Sequence, residues 1–373
     1  MSAEIAMLRK HGHEVIFYER HNGEYDRLSL WGKLRFIARD IFWSPRTFGD
    51  ITRLVREHKP DAVHVHNILF FVSPSVYDAC RAQGVPVVQT IHNYRLLCAN
   101  GLFYRNGRPC EDCFKTAGLS AVRHRCLRSS FLFSSLYFCL LKWMRFKGVL
   151  RRKVDLFIAP GEFARGQFIG SGSVEASRVA VKGHFVEDPA SAAAVPEVGR
   201  YALFAGAVAD YKGIRTLLRA WQGMTDIPLK IVGNGPLLKE LKAQYPQGHI
   251  EWMGAQSWER TMAHVRHSAF VVAPSECYET FSRIIVDAYA CGVPVIASRI
   301  GALTERIIPN ETGLLFEPGD ADDLKEKVLF LYRDPQLNKV MRKNARRLYN
   351  EQYREEANYQ TLMGLYRQVS HGR

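Results

Sequence analysis

Residues 274–298 read PSECYETFSRIIVDAYACGVPVIAS. The segment leaves a β-branched run, FVVAPS, and continues as a helical pattern with apolar Ile284, Ile285 and Ala288 three to four residues apart. It then returns through Gly292, Val293 and Pro294 to a second β-branched run, PVIAS. Strand, helix, turn and strand in this order make a βαβ unit, whose two strands run parallel. Two carboxylates, Glu279 and Asp287, flank a helix start expected near Phe281 or Ser282. Asp287 then lies one to two turns inside the helix at 1.5 Å per residue. The first-turn amides and the positive end of the helix dipole favour a phosphate between the two acids. Each carboxylate can accept a hydroxyl hydrogen bond, one from a ribose and one from a sugar. By themselves the two acids also fit a helix-start residue and a solvated face.

The same alternation of short strands and helical patterns extends in both directions. HEVIFYE, DAVHVHN, PVVQTIHN, DLFIAPG and RVAVKGHF are strand candidates in the first half. YALFAGAV, LKIVGNG, IEWMGA, FVVAPS, PVIASRI and GLLFEPG are those of the second. Residues 186–199, VEDPASAAAVPEVG, are rich in Ala and Pro without periodicity and form the expected linker. Two doubly wound α/β domains follow, 1–185 and 200–350, with the cleft beyond their strand ends as the default active site.

At 373 residues, 47% hydrophobic and 24% charged, the chain suffices for two domain cores. No apolar run reaches the roughly 18–20 residues that span a bilayer, and the start lacks the apolar core of a signal peptide, so a cytoplasmic location is expected. The net charge of +14 is concentrated: from Cys113 to Val154 there is no acid, and ten Lys and Arg. Within this segment lies FLFSSLYFCLLKWMRF, too short to cross a membrane but aromatic and flanked by cations. It fits either a peripheral contact with an anionic membrane surface or a core helix with a solvated basic end. No recognition motif for nucleic acid accompanies the charge.

Cys98, Cys110, Cys113 and Cys126 fall in an insertion, 98–153, with a CxxC at its centre. They suit a structural zinc site, with His124 as a substitute ligand, or free buried thiols, or an iron–sulfur or redox pair.

The stretch quoted at the outset, continued as RIGALTERI, resembles the nucleotide-sugar motif of family-4 retaining glycosyltransferases. FAGAVADYKG, IVGNGPL, TGLLFEPGD, DAVHVHN and PVVQTIHNYRLLC extend the resemblance over nearly the whole chain in the family's order. The resemblance implies a GT-B architecture: two facing Rossmann-like domains, the second holding a nucleotide diphosphate sugar and the first a glycan or lipid-linked acceptor. It also implies that residues 351–373 form a helix crossing back to the first domain. By matching position, Glu279 would bond the donor sugar, Asp287 the ribose, and Lys212 the diphosphate. Gly206, Gly233 and Gly235 would admit the nucleotide close to the backbone, and Phe281, Ser282 and Arg283 would surround the helix start. His92 would line the reaction centre. His64 and His66 are taken to face opposite sides of their strand, with His66 toward the cleft.

Cleavage of the donor leaves added negative charge on the diphosphate, so a fixed cation and helix-end amides favour the transition state over the ground state, and no catalytic metal or cofactor is expected. The expected role is sugar transfer in bacterial surface polysaccharide synthesis, peripheral at the inner face of a membrane. The rival is a catalytically inactive relative serving as a scaffold.

Two positions depart from the family's pattern: Ala207 stands where an Arg is usual, leaving Arg283 as the replacement cation, and Asp287 stands where a Glu is usual. The opening helical pattern, with Ile5, Leu8 and the Gly12 stop, runs directly into HEVIFYE. The family's first strand and glycine loop are therefore expected to lie some 15–25 residues' worth of chain upstream of Met1, about one strand plus one loop.

Overall fold

The computed structural model describes residues 1–68, 72–189, 198–246 and 248–370. Of the expected linker, 190–197 lie outside the described residues. The chain divides into two units: Met1–Leu102 with Glu111–Lys182 and Tyr359–Arg373, and Phe103–Cys110 with Gly183–Asn358. Helix Glu355–Ser370 begins in the second unit and continues in the first.

Strands are numbered in chain order. In the first unit β1 (Val63–Val65) and β2 (Val87–Thr90) pair in parallel. After a hairpin of β3 (Tyr104–Arg105) and β4 (Arg108–Pro109), which belongs to the second unit, β5 (Leu156–Ala159) and β6 (Val179–Val181) complete a parallel sheet of order β1-β2-β5-β6. Every residue of β2 and β5 is buried, so these runs show the continuous Val, Leu and Ile content of strands covered on both faces. Helix Ser2–Lys10 ends before Gly12, whose φ of +84° suits glycine. The expected strand at 13–19 is not formed. A strand exists through its ladder to a neighbour, and β1 is the sheet's edge with no partner in 13–20.

Helix Phe131–Phe146 turns Ser134, Tyr137, Leu140, Leu141 and Met144 into the unit's core, a 3–4 spacing that makes one buried stripe. Phe131, Leu132, Lys142, Arg145 and Phe146 remain outside. Among the described residues no helix is long and apolar enough to cross a membrane.

The second unit holds β7 (Ala202–Ala205), β8 (Leu229–Val232), β9 (Ile250–Gly254), β10 (Phe270–Ala273), β11 (Val295–Ser298) and β12 (Gly313–Phe316). All are parallel, in the order β12-β11-β10-β7-β8-β9. The period of two sends Leu203, Val271, Val295 and Ala297 to one face with helix Arg283–Ala290. It sends Ala202, Phe204, Phe270, Val272 and Ile296 to the other with helices Ile214–Trp221 and Ala321–Arg333. The order reverses between β7 and β10. In a doubly wound sheet that reversal opens a crevice at the strands' carboxyl ends.

Candidate functional site

The loops leaving β7 and β10, the two strands at the reversal, carry the candidate residues. Residues 206–213 end in the short turn Asp210–Lys212 and in Gly213, the residue before helix Ile214–Trp221. Gly213 has φ +66°, and a Cβ there would fall 1.7 Å from the Pro274 carbonyl oxygen, so only glycine lets the two loops touch. The Glu276 amide donates to the Tyr211 carbonyl (3.0 Å) beside this contact. Across it, Lys212 Nζ donates to Glu279 Oε1 at 2.8 Å, and the Ser275 hydroxyl donates to the same oxygen.

Both charges of this pair are fixed. Burial alone would raise the Glu279 carboxyl, yet Lys212 and the hydroxyl bond hold it below the usual carboxylate range. Burial would likewise lower Lys212, and Glu279 keeps it above the ordinary lysine value. The structure thus brings together two residues that the sequence places 67 positions apart.

Helix Arg283–Ala290 starts one or two residues later than expected. Its N-cap is Ser282, at φ 60° and with no side-chain cap. The first-turn amides of a helix have no intrahelical acceptor, so this end is an anion site in form. The Ser282 hydroxyl is buried and helps to hold Glu279 ionised, and Asp287 Oδ1 in the second turn is buried with no hydrogen-bond partner. The other Asp287 oxygen lies 3.6 Å from Arg283 Nε, so Arg283 is paired along its own helix. Burial pushes the Asp287 carboxyl up to about 6, with Arg283 only partly offsetting it. The Phe281 ring is buried against His184, Arg306 and Tyr353, leaving its backbone as what it offers a ligand.

The loop glycines bring two loops into backbone contact. A Cβ on Gly233 would fall 1.8 Å from the Gly206 carbonyl oxygen, and one on Gly235 would fall 2.3 Å from that of Val208. They seat the loop after β8 on the loop after β7, with Val208 N bonded to Asn234 O (3.0 Å). Ala207 lies in that loop as a half-buried residue with no charge to offer.

His92 lies in the first unit, one position beyond Ile91 after β2. His92 Nε2 is 2.7 Å from His66 Nδ1, and the His64 and His66 rings stack at 4.3 Å. This corrects the expectation of opposite faces: residues i and i+2 of a strand share a face. His64 completes the chain with Tyr366 OH and Thr90 Oγ1, each at 2.7 Å. Burial pushes His64 down to about 4 and His66 to about 2, and also lowers His92, so all three imidazoles are neutral at neutral pH. Glu4, with Lys182 3.2 Å away, completes the group.

The zinc expectation finds no support in the structure. No cysteine is in a disulfide, and among the described residues none belongs to a group of three metal-ligating side chains; Glu4, His64 and His66 form such a group instead. Cys110 closes the β3–β4 hairpin and counts with the second unit, while Cys98, Cys113 and Cys126 count with the first. A cation at Glu4, His64 and His66 would have to displace the hydroxyls on His64 and share Glu4 with Lys182.

Sequence reasoning missed Ser275, Gly213 and the hairpin. The hairpin had a signal: Asn106-Gly107 is a two-residue turn with φ +53° and +76°, the primed type that Asn-Gly favours.

Two Rossmann-like α/β domains with parallel sheets, carrying an anion-suited helix start and a fixed cation at the strand reversal, define the GT-B class of folds. The family model "Glycosyltransferase Family 4" matches residues 4–187, and "Glycosyl transferases group 1" matches residues 190–348. The chain belongs to this family of glycosyltransferases.

Among its relatives, an uncharacterized glycosyltransferase of Methanocaldococcus jannaschii is 35% identical over 149 residues, covering 39% of this chain and 42% of that one. D-rhamnosyltransferase WbpZ of Pseudomonas aeruginosa is 35% identical over 157 residues, 41% of each chain. The phosphatidyl-myo-inositol mannosyltransferase of Mycobacterium leprae is 31% identical over 205 residues, 51% of this chain and 54% of that one. The chain thus spans about half or less of the length of the curated relatives it matches. The solved structure of HepE of Anabaena in complex with UDP superposes with a TM-score of 0.65 at 16% identity, covering 98% of this chain and 90% of that one. A glycosyltransferase from Rickettsia africae gives a TM-score of 0.66 at 17% identity, covering 99% and 88%.

Proposed function

We propose that this chain is a retaining glycosyltransferase that takes its sugar from a nucleotide diphosphate donor held by the second unit and passes it to a glycan or lipid-linked acceptor held by the first. The observation that carries the reading is the Lys212–Glu279 pair at the carboxyl ends of β7 and β10, beside a helix start with no side-chain cap. A diphosphate at that start gains a cation that need not be acquired during the reaction. Because the leaving group becomes more negative as the bond to the sugar breaks, Lys212 and the amides assist the transition state most. Glu279, held below the usual carboxylate range by Lys212, accepts a sugar hydroxyl, and Asp287 Oδ1, buried without a donor, accepts one from the ribose. His92, neutral and oriented by His66, is the residue of the first unit assigned to the reaction centre.

The acceptor reading places the protein in surface glycan synthesis, peripheral at a membrane through the outward face of helix Phe131–Phe146. There Lys142 and Lys147 lie over the rings of Phe138 and Phe146. The hexose character of the donor sugar and transfer without a catalytic metal belong to the same proposal.

The test is a titration of nucleoside diphosphates, UDP first, against thermal unfolding. A ligand of the folded state at 100 times its Kd stabilises by about 2.7 kcal/mol. Wild type should be stabilised and the double variant Lys212→Met, Glu279→Gln, which removes both charges and strands neither, should not. If no nucleoside diphosphate shifts the wild-type transition, the reading fails. Binding without release of nucleotide from any of a panel of nucleotide sugars would identify the inactive relative instead.

A further inference from the structure

The second unit contains a cavity of about 660 Å³, within the range of small-molecule sites, that the donor reading does not use. It is lined by the β3–β4 hairpin and by residues of the same two loops and of helix Ile214–Trp221, among them Tyr104, Asn106, Asp210, Thr216, Arg219 and Glu276.

The hairpin is held over this cavity by its own sequence. Phe103, fully buried at φ +49°, packs its ring 5.9 Å from that of Tyr278, and the Cys110 amide closes the base on the Phe103 carbonyl at 2.7 Å. The Asn106-Gly107 turn pairs Arg105 with Arg108, and the half-buried ring of Tyr104 forms part of the wall.

The polar wall carries two hydrogen-bonded runs. Arg219 Nη2 donates to Thr216 Oγ1 (3.1 Å) and to the Gly319 carbonyl (3.2 Å), and the Thr216 hydroxyl donates to Glu276 Oε1 (2.6 Å). Arg215 donates to Asp210 Oδ1 (2.7 Å) and Glu240 Oε1 (2.9 Å). The lining therefore carries Asp210 and Glu276 against Arg215 and Arg219, a formal balance of zero, and both cations are bonded to protein acceptors. Burial first, and then Glu276 and Asp210, push the Tyr104 phenol up to about 12, so those acids act on its hydroxyl.

A multiply charged phosphate or nucleotide needs a wall of net positive charge, and an apolar ligand needs an apolar wall. A ring wall, fixed carboxylates, a side-chain amide and a charge balance of zero instead match a neutral polyol, whose hydroxyls bond carboxylates and amides and whose C–H face packs on an aromatic ring. We infer that this cavity is a saccharide-binding site, separate from the donor site, that holds a neutral sugar unit of a glycan against Tyr104 and Glu276. The inference stands on the lining alone and does not require the donor reading. Its place gives it a consequence, because Asp210 is two residues from Lys212 and Glu276 three from Glu279. A bound glycan would rest on the two loops that position that ion pair.

The test uses the full chain and calorimetric titration with neutral trisaccharides of gluco, manno and galacto configuration, with and without saturating UDP. At least one should bind with UDP present. Tyr104→Ala should weaken it about tenfold, equivalent to about 1.4 kcal/mol. Tyr104→Phe, which keeps the ring, should bind nearly as well as wild type. UDP affinity should be the same in all three proteins. The inference is overturned if no trisaccharide binds, if UDP displaces the sugar, which would make the donor pocket its site, or if Tyr104→Ala binds as wild type does. Failure of UDP to bind, with the trisaccharide result intact, would count against the donor reading alone.

Discussion

Replacing Asp287 by Asn should stabilise the protein while weakening nucleotide binding. The carboxyl is buried in helix Arg283–Ala290, one oxygen has no hydrogen-bond donor, and its pKa stands at about 6 against an ordinary 3.8. At 1.36 kcal/mol per pH unit that difference corresponds to about 3 kcal/mol. The sign follows from proton binding. Between pH 3.8 and about 6 the folded state holds more protons than the unfolded state, so stability falls as pH rises through that window and is flat above it. Asn has no charge to desolvate, and the Arg283 pairing is already counted in that shift, but its amide N–H groups enter a buried site that held a carboxylate, at a cost of about 1 kcal/mol. The expected net gain is about 2 kcal/mol at pH 8, or roughly 4–8 °C in the unfolding midpoint for a unit of this size. The gain should shrink toward zero by pH 4. Nucleoside diphosphate affinity in the same variant should fall about tenfold, since a hydrogen bond to a charged acceptor contributes roughly 1.5–3 kcal/mol. Thermal melts of both proteins at pH 4, 6 and 8, with calorimetric titration of UDP at pH 8, read both effects. An Asn variant no more stable than wild type at pH 8, or one whose gain is the same at pH 4 and pH 8, would refute the reasoning.

Two further outcomes follow from the same structure. Gly213→Ala combines a left-handed backbone, about 1–2 kcal/mol for a residue with a Cβ, with a contact of 1.7 Å on Pro274; it should lower the melting midpoint well beyond Gly223→Ala, at φ +79° with nothing within 4 Å, and equal losses would show that the loop contact does not matter. Binding of the full chain to anionic vesicles should weaken as salt rises past 0.1 M, where the screening length is about 10 Å, and should weaken further in Lys142→Gln, Arg145→Gln; salt-independent binding, or none, would return helix Phe131–Phe146 to a purely internal role.

The strands that the sequence announced best are those covered on both faces, because a run such as FVVA has no polar alternative to the sheet. HEVIFYE failed for the opposite reason. Its composition suits a strand, but pairing depends on a neighbour that composition does not record. The paired histidines were legible as residues and misplaced in space by a slip in face, which the stacked rings at 4.3 Å correct. The cysteines show the limit of spacing as a guide. Cys110 and Cys113 are three apart, yet one ends a hairpin of the second unit and the other begins a turn of helix in the first.

The glycines show what kind of information the sequence withholds. FAGAVADYKG, IVGNG and FVVAPS are three separate stretches, and the glycines of the first two invite a reading as space for a ligand. In the structure Gly213 is where the first stretch touches Pro274, and Gly233 and Gly235 are where the second touches Gly206 and Val208. The three loops are thus fitted to one another by backbone contact, and Lys212 meets Glu279 only because that fit exists. A motif of this kind encodes a distance between loops as much as a set of side chains. Substituting one of these glycines should therefore displace the ion pair without touching either charge.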